Sequence, residues 1–204
     1  MIRENSTERH PLLSIWLHPR VAIQQVTNQK AEFVTYLLVT LAGVPYILDE
    51  IELNEGFGWL LQLHTILFKG LIFGMMTLGT GWLSLYCTGK WLGGKARAND
   101  IWYALVWSAV PTISISMLML ILLVLPASAA NNSVLVIGLI AVEVIAGIWS
   151  FILCLNTLSQ VQGFSVYKVL LNFVLAALMA ALVVIALIAL FVFGLGISLN
   201  LFNQ

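Results

Sequence analysis

Charge is scarce in this chain. Of its 204 residues, 9% are Asp, Glu, Lys or Arg, against about a quarter in an ordinary soluble domain. So small a polar inventory cannot cover a folded surface in water. Cysteine is scarce too. Cys87 and Cys154 fall near the same end of hydrophobic segments, which argues against a disulfide framework. Each reads as a small apolar packing residue. His10, His18 and His64 are scattered, with no metal-ligand spacing. HExxH, GxSxG, a Walker loop and paired intramembrane aspartates are all missing, and nucleophile and base candidates do not converge on one loop. These absences argue against an enzyme, a metal or another cofactor, and no nucleic-acid partner is expected. No pair of related broken half-segments supports an inverted-repeat transporter either.

What is present is apolar. The chain is 61% hydrophobic with a mean hydropathy of +1.00, the composition of an integral membrane protein. A membrane helix needs about 20 mostly apolar residues. Five segments qualify, at about 31–48, 57–87, 101–125, 134–158 and 169–199. The expected fold is therefore all-α, a bundle of five transmembrane helices forming one domain over 31–204. Residues 1–30 form a cytoplasmic tail. Within that tail Pro19 suits a first helical turn, and Ile23 and Val26 oppose Gln24, Gln25, Asn28 and Gln29. A short interfacial helix on the cytoplasmic face is expected there. No cleavable signal peptide is expected, because residues 1–10 are polar and the next apolar cluster is broken by His18-Pro19-Arg20.

The few charges are unevenly placed. Arg3, Arg9, Arg20, Lys30, Lys90, Lys95, Arg97 and Lys168 fall on one side of the spans, and Asp49, Glu50, Glu52 and Glu55 on the other. By the positive-inside rule the N-terminus is cytoplasmic and the C-terminus outside, in a multi-pass cytoplasmic (inner) membrane protein. Trp59, Trp82, Trp91, Trp102, Trp107 and Trp149 lie mostly toward span ends, as in an aromatic belt.

Two charges lie inside spans. Lys69 is 12 residues past Phe57, about 18 Å deep, and Glu143 is 9 residues past Val134, about 14 Å deep, at 1.5 Å per residue. Opposite sign and similar depth suggest an ion pair in the bundle interior, with His64 as a polar neighbour. Such a pair can fix which helices pack together, or it can mark a pathway for ions or protons. Gly70 and Gly74 make a GxxxG beside Lys69, and Ala176/Ala180 and Ala177/Ala181 repeat a small residue every fourth position. Both patterns suit close helix packing. Pro111 lies inside the third span and is expected to kink it. The polar residues Asn156, Ser159, Gln160 and Gln162 read as a wet helix end.

Three stretches carry a family likeness: IWLHPRVAIQQV (Ile15–Val26), NDIWYALVWSAVP (Asn99–Pro111) and GIWSFILCLNTLSQVQGFSVYKVLLNFVLAAL (Gly147–Leu178). Together they resemble the Ypt-interacting protein (Yip) family in its bacterial form. The resemblance implies five spans with a cytoplasmic N-terminus and no catalytic residues. Eukaryotic members bind Rab-type GTPases and have a long cytoplasmic N-terminal region. None precedes the first span here, which argues against carrying GTPase binding over. The expected role is a non-enzymatic scaffold or interaction protein in membrane organisation, with the bilayer, other membrane proteins or a second copy as partners. The alternative is a transporter or channel component built on Glu143, Lys69 and His64.

Overall fold

The computed structural model describes residues 11–50, 58–122 and 133–202, with the backbone alone at 48–50, 58–63, 119–122 and 194–202. All but Ser133 of the connection expected between the third and fourth spans (Pro126–Ser133), the acids Glu52 and Glu55, and the side chain of Trp59 lie outside the described residues. Those residues form helices and turns, and no strand is found among them. A short helix α1 (Pro11–Ser14) and α2 (Pro19–Gln29) are followed by α3 (Glu32–Gly43), which tightens into a 3-10 helix at Val44–Glu50. Then come α4 (Gly58–Trp91), α5 (Ala98–Ser108), α6 (Val110–Leu122), α7 (Ser133–Gln162) and α8 (Val166–Phe202).

Among the described residues four stretches are long and apolar enough to cross a membrane: His64–Trp91, Ala98–Leu118, Ser133–Gln162 and Val166–Phe193. The segment expected as the first span is shorter as an α-helix. Pro45 has no N–H to continue the α ladder, and the Val44 N–H bonds back to Leu41 in the tighter pattern. The 12 residues of α3 and the 7 of the 3-10 helix together reach about 32 Å, close to the hydrocarbon thickness of about 30 Å. By contrast α4 and α8 are continuous over 34 and 37 residues, about 50 Å or more each. They outrun the hydrocarbon layer and must tilt or project from it.

The interior is concentrated at one end, the end that carries Lys30, Lys90, Lys95, Arg97 and Lys168. There α5 sits centrally, against α2, α3, α4 and α7, while α8 packs on α4 and α7. Its Ile101, Ala104, Val106 and Trp107 are buried in the same core as Leu85 of α4 and Leu158 of α7. The helix expected to lie in the membrane interface is present as α2. Its Ala22, Ile23 and Val26 are fully buried, because α2 is laid against α5 and α7. Its apolar stripe thus meets protein, Gln24, Asn28 and Gln29 face out, and Gln25 is half-buried. Both turns at this end use the same device. Gly93 (φ 83) and Gly163 (φ 69) take the left-handed conformation that favours glycine. Gly94 N–H then bonds to Gly89 at 2.8 Å and Phe164 N–H to Ser159 at 3.1 Å, closing the helices with Schellman caps.

Candidate functional site

Polar side chains in an apolar bundle must find partners inside it, and the structure gathers them at the basic end. Asn172 of α8 is fully buried. Its Oδ1 accepts from Thr88 Oγ1 at 2.5 Å, and its Nδ2 donates to the Leu85 carbonyl at 3.2 Å and to Gln162 Oε1 at 3.4 Å. One side chain thereby ties α4, α7 and α8 together. Gly89 is what lets Gln162 in: a Cβ there would stand 2.9 Å from Gln162 Nε2. That nitrogen is buried with no partner. Ser159 donates to the Phe164 carbonyl at 2.6 Å. Ser159 and Gln162, expected at a wet helix end, are thus buried. The turn at Gly163 folds α8 back over them and covers the end of α7.

A second tie joins α3 to α5, where buried Trp107 donates through Nε1 to Thr35 Oγ1 at 2.9 Å. Trp82 Nε1 donates to the Ala98 carbonyl at 2.8 Å, and Trp102 meets the Trp82 ring edge-on. Trp107 is therefore buried in the bundle, and Trp82 and Trp102 are half-buried against it. Trp91 and Trp149 remain exposed.

Outside this packed region the basic end opens a cleft. One lobe of about 330 Å³ is lined by Thr27, Lys30, Glu32, Arg97, Ala98, Asn99, Asp100 and Tyr103. A second, of about 120 Å³, shares Glu32, Asn99 and Tyr103 and adds Thr35, Tyr36 and Trp102. The cleft is built where α2 ends and α3 and α5 begin. Lys30, left-handed at φ 48, turns the chain between α2 and α3. Arg97 Nε bonds to Asp100 Oδ2 at 3.3 Å while the Arg97 side chain stays 85% exposed.

The residues singled out in the sequence lie on α4, α6, α7 and α8. Pro111 lies in the first turn of α6, after the helix breaks at Ala109. The break leaves the Thr112 N–H without its helical acceptor, and Ser150 Oγ of α7 takes it at 3.2 Å, with the two hydroxyls 2.6 Å apart. Gly70 and Gly74 face α3. A Cβ on Gly70 would lie 2.9 Å from the Thr40 carbonyl, and one on Gly74 would collide with the Val39 carbonyl. Gly43 opposes both, so the two helices meet backbone to backbone. Ala176 is buried in the core, whereas Ala177, Ala180 and Ala181 are exposed. His64 is exposed, with its Nε2 3.3 Å from Thr65 Oγ1. Lys69 is half-buried on α4. Glu143 is half-buried on α7, in line with Ala146, Gly147 and Ser150, on the stripe that turns toward the bundle. The main neighbours of α4 are α3, the 3-10 helix, α5 and α8, and those of α7 are α2, α5, α6 and α8.

Asn172 and Thr35 were not singled out by the sequence. The reasoning that isolates Glu143 applies equally to Asn172, an amide in VLLNFVLAAL. Thr35 carries no such signal, since a threonine can bond its own helix. It does so here, to the Ala31 carbonyl at 2.7 Å.

A family model described as the Yip1 domain matches residues 13–197, nearly the whole chain, and the chain belongs to that family. No curated protein and no solved structure matches it.

Proposed function

We propose that this Yip1 domain protein is a non-enzymatic membrane scaffold, one that holds partners in the bilayer and transforms no substrate. The observation that carries the reading is the surface of α8. From Ala177 to Phe193 no described side chain is buried, and all of that surface is apolar. One half of the molecule is thus fixed by internal polar ties, and the other offers helix faces to lipid or to neighbouring helices. The excess of Lys and Arg at the basic end supports a cytoplasmic position for that end and an outside C-terminus, in a cytoplasmic (inner) membrane.

The test uses the full chain with Cys87→Ala and Cys154→Ala and single cysteines at Val184 or Ile188. Crosslinking in intact membranes is expected to give a discrete species, of the chain with itself or with one defined membrane protein. Only monomer at both positions removes the scaffold reading. Flux of protons or small solutes above that of empty vesicles, after reconstitution, would replace it with a transporter.

A further inference from the structure

The cleft at the basic end holds charge of both signs. Its larger lobe carries the cations Lys30 and Arg97, with Asp100 paired to Arg97 and Glu32 shared with the smaller lobe. Its smaller lobe has no cation. There the Glu32 carboxylate stands with Tyr36 and Trp102, and Glu32 and Asn99 line both lobes. A guanidinium fork and an ammonium suit a phosphate. A carboxylate beside aromatic faces suits an ammonium. Arg97 spends its Nε on Asp100, and its high exposure leaves the terminal nitrogens to face outward. Among the described residues neither Lys30 nor Glu32 is held in an ion pair.

The cleft is preformed. The left-handed turn at Lys30 fixes Lys30 and Glu32 two positions apart on its rim. The Trp82 bond to the Ala98 carbonyl pins the start of α5, and the Trp82–Trp102 contact holds the aromatic wall. Its height is set as well. Phe33, 80% exposed, and exposed Tyr36 and Leu37 project from α3 beside the rim, and α3 runs from there into the apolar bundle. Exposed aromatic residues next to a charged rim are the mark of headgroup level.

We propose that this cleft binds the headgroup of a phosphatidylethanolamine-type lipid. The phosphate lies between Lys30 and Arg97, and the primary ammonium lies against Glu32, Asn99 and the rings of Tyr36 and Trp102. A primary ammonium donates hydrogen bonds to the Glu32 carboxylate and the Asn99 amide oxygen. A trimethylammonium has no such donor, and a glycerol headgroup has no cation. The assignment does not depend on the scaffold reading.

The full chain in nanodiscs of equimolar phosphatidylethanolamine, phosphatidylcholine and phosphatidylglycerol tests it, with retained lipid read by native mass spectrometry. The ethanolamine lipid is expected to be retained about fivefold over each of the others, the size of one exposed cation–π or ionic contact. Glu32→Gln is expected to bring its advantage over phosphatidylglycerol to parity. Lys30→Gln is expected to lower retention of all three. Both residues are exposed, so neither variant endangers the fold. Equal retention by the unaltered protein, or an unchanged preference in Glu32→Gln, overturns the proposal. So does soluble glycerophosphoethanolamine binding as tightly as the lipid, which would make the ligand a free metabolite.

Discussion

Between Leu153 and Asn172 the chain buries Leu153, Cys154, Thr157, Leu158, Ser159, Gln162, Phe164, Val169 and Asn172, and between Ala177 and Phe193 it buries nothing. The first region is the end of α7, the turn after it and the start of α8, and the second is the rest of α8 up to Phe193. Between two of the spans hydropathy runs opposite to burial: Val166–Phe193 has a mean hydropathy of 3.1 and is 6% buried, while Ala98–Leu118 has 1.5 and is 56% buried. In water the more apolar segment would be the core. In a bilayer, lipid tails satisfy a leucine as well as protein does, so apolar side chains do not drive helices together. Polar groups do, because lipid offers them nothing. The packed end is therefore the end with Asn172, Gln162, Thr88, Thr35 and the indole donors.

The sharpest way to break this comparison is to add the same side chain at a packed position and at an open one. Gly74→Leu drives a Cβ into the Val39 carbonyl. The two backbones cannot move apart without separating α3 from α4, so a loss of about 3 kcal/mol or more is expected. Gly138→Leu meets nothing within 4 Å. It removes a helix-interior glycine and is expected to be neutral or stabilising by up to about 1 kcal/mol. Thermal unfolding in detergent measures both. Equal effects at the two sites would mean that the outer half is packed after all.

Asn172→Ala comes next. It leaves the buried Gln162 amide with no partner and unties the Thr88 hydroxyl, which keeps only the Ser84 carbonyl of its own helix. About 2–3 kcal/mol is expected, more than an average hydrogen bond because a buried amide is left unsatisfied. Asn156→Ala on α7 is the control, since that side chain only bonds back to its own helix at Ile152. Its expected cost is below about 0.5 kcal/mol.

The sequence shows the class of fold at once, since composition and run length decide it. It shows span ends less well, because Pro45 and Ala109 break helices inside runs of uniform hydropathy. The glycines at 70 and 74 were legible from spacing, but their partner Gly43 was not, being one small residue among many. The cleft was least legible of all. Lys30, Glu32 and Arg97 look like ordinary loop charges until the folding of α2 onto α5 brings residue 30 beside residue 97. That placement is a tertiary fact with no local signal.

A milder break is Ser150→Ala. It removes the acceptor of the Thr112 N–H at the helix interruption. The expected cost is about 1–2 kcal/mol, the desolvation of one unpaired backbone donor. Thr112→Val would lose the hydroxyl contact and keep the N–H bond. It should cost about half as much or less on the same scale. An equal cost for both would show that the hydroxyl pair, and not the backbone donor, holds α6 to α7.

The smallest expected effect bears most directly on whether the outer half holds itself together. A pair between Lys69 and Glu143 would be an internal polar tie in that half, the kind that the basic end has in plenty. Depth and sign favour it. It requires α4 and α7 to approach each other away from their main neighbours, which are different except for α5 and α8. The pair predicts a coupling of about 1 kcal/mol or more in a Lys69→Met, Glu143→Gln double-mutant cycle, with the double variant recovering what each single one loses. Additivity within about 0.5 kcal/mol would mean no shared contact. Glu143 would then stand on the bundle-facing stripe of α7 for another reason. The outer part of α7 would in that case rest on lipid and on neighbouring proteins, as a scaffold with open faces requires.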